Sequence, residues 1–306
     1  MNCKYLLVVI GPTAIGKTAL SIQLAQHFGC EIVSCDSRQF FKEMRIGTAV
    51  PDAGELAAAP HHFVQDKSIF EPYTVGDFEK EAIARLDTLF AKNDFAVLVG
   101  GSGLYVNAVL NGFDDFPEVP ATIRSELTQK YQSGGIAYLQ TQLASLDPDY
   151  FAIVDQNNPQ RLMRALEVCV ATGQPYSKFR KQKKNTRRFT PIVIGLEADR
   201  AVIYERINRR VGLMMDAGLL DEARTLLPHR DLNALQTVGY RELFRYFDGE
   251  DTLEQAVEEI RKNTRRFAKR QLTWFKRLDN ARWFDFDTDL AQITHYIQSQ
   301  IDPQCL

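Results

Sequence analysis

Residues Gly11-Pro12-Thr13-Ala14-Ile15-Gly16-Lys17-Thr18 match the pattern G-x-x-x-x-G-K-[ST], a spacing that can cradle phosphate. Glycine lets the backbone curl until successive N–H groups face inward, and a helix N-terminus behind them adds partial positive charge. Lys17 would set a full charge against the phosphate oxygens, and the Thr18 hydroxyl would ligate Mg²⁺. The pattern points to a phosphate without identifying the compound that carries it. P-loop kinases and nucleotide hydrolases usually place an acidic residue at the end of a buried strand to hold the metal. Here the run Phe95 to Val99 ends in Gly100-Gly101-Ser102, which carries no carboxylate. The earlier run Glu31 to Cys35 ends at Asp36 instead. At the carboxyl end of a parallel strand, Asp36 would lie in the ligand crevice, free to bind Mg²⁺, take a proton from a nucleophile, or cap a turn.

These residues need a scaffold, and the hydrophobic pattern supplies one. Tyr5 to Ile10 is a continuous apolar run, as in a parallel strand buried on both faces. Ala19, Ile22, Leu24, Ala25 and Phe28 recur at helical spacing, with Gly29 placed to end the helix. Phe78 to Phe90 reads as an amphipathic helix ahead of the strand Phe95 to Val99. The alternation predicts an α/β fold: a P-loop NTPase-like, doubly wound parallel sheet. After the Phe113 to Pro120 loop the pattern turns helical over Ile123 to Tyr131, Ile136 to Ser145 and Pro159 to Ala171. Thr190 to Leu196 returns to a β-like run, expected to join the same sheet, and Ala201 to Phe275 is helical. The expected domains are a catalytic core of 1–119 and 190–306, with C-terminal helices, and a helical insertion of 120–189.

Composition fits an ordinary globular chain of 306 residues, 45% apolar and 25% charged, with a net charge of −2. No segment approaches the ~20 apolar residues of a membrane helix, and the glycine motif follows the N-terminus without a basic leader. A cytoplasmic protein without membrane contact is expected. Cysteines at 3, 30, 35, 169 and 305 include no C-x-x-C pair, which favours reduced thiols. His61-His62 lacks further metal ligands at suitable spacing and reads as a loop packed beside the ligand pocket.

Taken in order, GPTAIGKT, DSRQFF with its trailing RIGTAVP, PHHF, YTVGDF, LVGGSGLY, NPQRLMRALEV, LQTVGYRE and KRQLTWFKR run from residue 11 to about 277. Together they resemble the tRNA dimethylallyltransferase family, the isopentenyltransferases that modify the adenosine next to the anticodon. The resemblance implies that dimethylallyl diphosphate takes the place of ATP on the P-loop. The N6 of adenosine 37, in the anticodon loop of tRNAs reading codons that begin with U, would attack the allylic carbon. The products would be N6-isopentenyladenosine and diphosphate, which leaves with Mg²⁺. Asp36 would serve as general base, and Ser102, where the family more often has threonine, would orient the adenine or Asp36 unless it only caps a helix. Asp36, Ser37, Arg38, Gln39 and Ser102 would meet tRNA. In the insertion, so would Arg124, Gln160, Arg161, Leu162, Met163 and Arg164. A target base would be extruded from its stack at a cost of about a few kcal/mol.

The chain departs from the family at Val50 (commonly lysine), Phe41 (tyrosine) and Asn158 (aspartate), which puts the finer tRNA contacts in question. Its end holds only Cys305 where eukaryotic relatives often carry a zinc finger, so a bacterial-type enzyme is expected; a monomer is expected as well. Basic residues concentrate as seven of eleven over Lys178 to Arg188 and eight of seventeen over Arg261 to Arg277. On a helix Lys262, Arg266, Arg270 and Arg277 would form a stripe for RNA phosphates, or else a solvated face. Trp274 and Phe275 between them read as core. The rival readings are an adenylate isopentenyltransferase acting on free nucleotides, a small-molecule kinase, and a non-catalytic RNA-binding module.

Overall fold

The computed structural model describes residues 3–112, 114, 116–180 and 186–302. Two compact units emerge, one of residues 1–111 with 186–306, the other of residues 112–185. The insertion thus begins at Gly112 and ends at Asn185, some residues ahead of the sequence expectation at each boundary.

In the larger unit six strands form one sheet: β1 Tyr5–Ile10, β2 Ile32–Ser34, β3 His61–His62, β4 Phe95–Val99, β5 Thr190–Glu197 and β6 Ala281–Asp285. Their order is β3-β2-β4-β1-β5-β6 and every pairing is parallel. β1 lies between β4 and β5, with Tyr5 opposite Phe95 on one side and Thr190 on the other. All six residues of β1 are buried, because both sheet faces are covered. Tyr5, Leu7 and Val9 enter one core with Leu24, Ile194 and Ile207, while Leu6, Val8 and Ile10 enter the opposite core with Phe78, Leu86 and Phe275. That is the two-residue alternation of a strand read on two apolar faces.

Helices α1 Lys17–Phe28, α2 Ala53–Ala58, α3 Val75–Phe90 and α4 Gly103–Asn111 belong to the first half of this unit. The second unit contains α5 Ala121–Leu146, α6 Pro148–Phe151 and α7 Pro159–Thr172. After β5 come α8 Arg200–Asp216, α9 Leu219–Leu226, α10 Tyr240–Phe247 and α11 Leu253–Phe275, and after β6 comes α12 Leu290–Ser299. A third core, around Met44, Val211, Leu219, Tyr240, Phe244 and Ile260, joins α8 to α11 to the segment that follows β2. In the second unit, Gly135 (φ 64°, ψ −165°) kinks α5 between the two expected helices. Leu127, Leu139 and Leu143 pack there against Leu162, Met163 and Leu166 of α7.

Two expectations change, and one strand was not expected at all. His61-His62 is not a pocket-side loop but the edge strand β3, where His62 Nε2 lies 2.6 Å from Glu31 Oε2 and His61 Nδ1 lies 2.8 Å from the Ala59 carbonyl. β6, with Arg282 and Asp285 in a half-exposed edge position, carries too weak an apolar signal to announce itself. Cys30, Cys35 and Cys169 are buried free thiols, but Cys3 is disulfide-bonded rather than reduced. Cys305 lies outside the described residues, as do Phe113, Asp115 and Lys181, Lys183 and Lys184 of the first basic segment. No helix among the described residues is long and apolar enough to cross a membrane.

Candidate active site

The P-loop leaves β1 through Gly11, whose φ of +147° and missing Cβ are both required: a Cβ would stand 2.7 Å from the Leu196 carbonyl oxygen. Ala14 adopts φ 65°, a conformation unusual for a residue with a side chain. Arg206 of α8 holds it there by donating Nε to the Ala14 carbonyl at 2.7 Å. Lys17 opens α1 and donates its Nζ to the Pro12 carbonyl at 2.8 Å. Burial pulls its pKa down to about 8, helped by Arg210 and opposed by Asp36 and Cys35.

A cavity of about 550 Å³ opens where β1, β2 and β4 end, the side of a doubly wound sheet on which ligands bind. Thr13, Asp36, Ser37, Arg38 and Ser102 all line it, so residues from three loops meet in one place. Asp36 is the one acidic residue among the described residues lining it, against Arg38, Arg210, Arg241 and Arg270. Asp36 Oδ1 accepts the Arg38 backbone N–H at 3.1 Å. Ser102 Oγ accepts the Ser37 backbone N–H at 3.1 Å, and the two hydroxyls are 3.0 Å apart. Ser102 therefore fixes the residue after Asp36 rather than the carboxylate itself. Arg38 gives Nη1 to the carbonyls of Asn233 and Ala234, at 2.9 and 3.0 Å, and Arg210 gives Nη1 to Thr13 Oγ1 at 3.3 Å. Burial lowers the pKa of both guanidiniums, and neither has an ion pair among the described residues.

Gln39 lies beside this cavity rather than in it. Its Nε2 donates to the carbonyls of Thr48 and Ala49, at 3.2 and 2.9 Å, and so steadies a stretch that does line the cavity. The same stretch is held from behind by Glu222, whose carboxylate accepts the backbone N–H groups of Arg45, Ile46 and Gly47 at 3.0, 2.8 and 2.9 Å and the Tyr240 hydroxyl at 2.7 Å. Sequence reading did not single out Arg210, Arg241, Glu222 or Gln271. Arg241 sits in the LQTVGYRE stretch and Gln271 in KRQLTWFKR, but neither spacing assigns a role.

For Mg²⁺, no cluster of three or more His, Cys, Asp or Glu exists among the described residues. The Thr18 hydroxyl makes no hydrogen bond there and is half-buried in the first turn of α1. That donor set fits an ion held by one hydroxyl and by phosphate oxygens of a substrate, as Mg²⁺ often is.

The remaining sequence candidates belong to the second unit. Gln160, Arg161, Arg164 and Arg124 are exposed, whereas the Leu162 and Met163 side chains are buried in that unit's core. Arg124 Nη1 and Arg164 Nη1 meet the buried Glu167 carboxylate at 2.9 and 3.3 Å. Asn158 accepts the Arg161 N–H and caps α7 as aspartate would. On α11 the expected stripe is partly neutralised. Arg261 and Arg265 pair with Glu258, Lys262 with Glu259 and Lys276 with Glu197. Arg266, Lys269, Arg270 and Arg277 have no ion pair among the described residues. Of the first basic segment, Arg187 is spent on Glu79 at 2.7 Å. Phe275 is core, while Trp274 is half-buried and lines the cavity.

The IPP transferase family profile matches residues 39–278. A tRNA dimethylallyltransferase of Flavobacterium johnsoniae is 63% identical over 96% of this chain and 97% of its own length. The chain belongs to the IPP transferase family. A tRNA dimethylallyltransferase 1 of Bacteroides fragilis is 45% identical, covering 98% of this chain and all of its own. Among solved structures, the tRNA isopentenylpyrophosphate transferase of Bacillus halodurans aligns with TM-score 0.72 and 38% identity, over 97% of this chain and 96% of that one. A eukaryotic dimethylallyltransferase acting on tRNA aligns with TM-score 0.82 and 25% identity, over 98% and 81%. These IPP transferases are named for tRNA, which disfavours the free-adenylate reading.

Proposed function

We propose that this chain transfers a dimethylallyl group from dimethylallyl diphosphate to N6 of adenosine 37 in the tRNA anticodon loop. The observation that carries this reading is the pairing of Asp36, the one acidic residue among the described residues lining the cavity, with a P-loop that contains Lys17 and is met by Arg210. The allylic C–O bond breaks with its electrons leaving on diphosphate, and the adenine N6 forms the new C–N bond. Asp36 takes the proton that the amine sheds. Lys17, Arg210 and the loop amides stabilise the charge that grows on the departing diphosphate. Mg²⁺ held at Thr18 would add Lewis-acid neutralisation of the same oxygens. Ser102 keeps Ser37, and with it Asp36, in register. The exposed arginines of the insertion and the unpaired cations of α11 give the tRNA phosphates a footing.

The test is to incubate the chain with unmodified tRNA, dimethylallyl diphosphate and Mg²⁺, then analyse nucleosides by mass. N6-isopentenyladenosine from tRNA, with AMP left unmodified, is the expected result. Prenylated AMP with unmodified tRNA would overturn the acceptor assignment.

A further inference from the structure

A side chain of α11 ends inside the P-loop. Gln271 is buried at 5% exposure, and both ends of its carboxamide are engaged. Its Oε1 accepts the Thr13 backbone N–H at 2.8 Å, and its Nε2 donates to the Gly101 carbonyl at 2.9 Å. Donor meets acceptor at each end, so a flipped amide would set N–H against N–H and oxygen against oxygen. Its partners are the third residue of the P-loop and the turn that leads into Ser102. Thr13 is doubly held, by Gln271 on its amide and by Arg210 on its hydroxyl at 3.3 Å. Gly101 closes the arrangement: a Cβ there would fall 2.3 Å from Gln271 Nε2 and 3.8 Å from Lys17 Nζ.

We infer that Gln271 is a positioning residue that clasps the P-loop to the Gly100-Gly101 turn, setting the distance between the cationic cradle and the Asp36–Ser102 side of the cavity. The clasp leaves the N–H groups of residues 14–18 free for phosphate, since it uses only that of Thr13. It rests on the reading that the P-loop receives the donor's diphosphate. A purely space-filling residue would need no matched donor and acceptor, and an apolar one of this size would strand a buried N–H and a buried carbonyl.

Gly101 offers a second way to open the clasp. The atom in its way is the far end of a flexible side chain and its φ is not in the left-handed region, so Gly101→Ala displaces the carboxamide instead of straining the backbone. Gln271→Ala and Gly101→Ala should therefore share one defect. Titration of the full chain with inorganic pyrophosphate by calorimetry reads it directly. Each variant is expected to bind about tenfold more weakly, and the double variant no more weakly than either single one. Equal affinity in wild type and Gln271→Ala would overturn the clasp, as would multiplying defects in the double variant. Absence of pyrophosphate binding by the wild-type chain would instead sink the P-loop reading beneath it. Should Gln271→Ala not fold, Gly101→Ala alone decides, with unchanged affinity counting against the clasp.

Discussion

Arginines around the cavity and arginines of the insertion carry the same charge in opposite circumstances. Arg38 and Arg210 are sunk among carbonyls and hydroxyls, without an ion pair among the described residues and with their pKa values pushed down by burial. Arg124 and Arg164 are exposed at 67% and 45%, yet both lean on Glu167, whose side chain is 3% exposed. The first pair is costly to keep charged unless an anion arrives, which suits a site built for diphosphate. The second pair is already partly neutralised and helps hold α5 to α7. Arg164 also stands 5.7 Å over the Phe116 ring, a further tie within its own unit. A basic residue in a family motif is thus no measure of its availability to a ligand. What its guanidinium already touches decides that.

The largest effect is expected at Asp36, the one acidic residue among the described residues lining the cavity. Asp36→Asn is expected to cut kcat by about two to four orders of magnitude while tRNA affinity stays within about twofold. Equilibrium binding alongside steady-state rates separates the two effects, and an undiminished kcat would remove Asp36 from the chemistry. Next come the cradle cations. Lys17→Ala and Arg210→Ala should each lower kcat/KM for the donor by about a hundredfold with little change for tRNA. The Lys17 charge also sets a pH limit. Its pKa, lowered to about 8, means that the ammonium is present below that pH and is lost above it. Pyrophosphate affinity should accordingly fall as pH rises through about 8, and Lys17→Arg should carry binding to higher pH.

Smaller effects lie on the RNA side. Charge reversal at Arg266 and Arg270 should weaken tRNA binding by about tenfold at low salt and flatten its salt dependence, as lost phosphate contacts require. An unchanged salt slope would return that part of α11 to a solvated face. Glu167→Gln should free Arg124 and Arg164, raising low-salt tRNA affinity by about two- to threefold and steepening the slope. The double variant Arg124→Ala/Arg164→Ala strands the buried Glu167 and should cost more stability than Glu167→Gln, by about 2 kcal/mol or more in chemical denaturation.

Much of this was written locally in the chain. β1, β4 and β5 announce themselves as continuous apolar runs because both sheet faces are covered, and the P-loop is legible because its eight residues are consecutive. Asp36 stood out at a strand end, whereas Ser102 entered only through the family resemblance. The edge strands β3 and β6 did not stand out, since His61-His62 and Ala281–Asp285 are short and half-exposed. The partners of the cradle were hidden for a different reason. Gln271 reaches Thr13 across 258 residues and Arg210 reaches it across 197, so no local spacing records either contact. Glu222 was equally silent, because a carboxylate that accepts three backbone N–H groups looks like any helical glutamate until the loop is folded against it. Charge runs were the most misleading signal. Half of the basic residues on α11 turn out to be paired with acids that the run itself does not display.

The most direct test of the central claim, that the cradle serves a departing diphosphate, is a single-turnover experiment with enzyme in excess over tRNA. It would follow inorganic diphosphate and prenylated adenosine together from dimethylallyl diphosphate. One diphosphate released per prenyl group transferred, at one common rate and only when tRNA is present, is the expected result. Diphosphate release without transfer, or tRNA-stimulated ATP hydrolysis in its place, would contradict it.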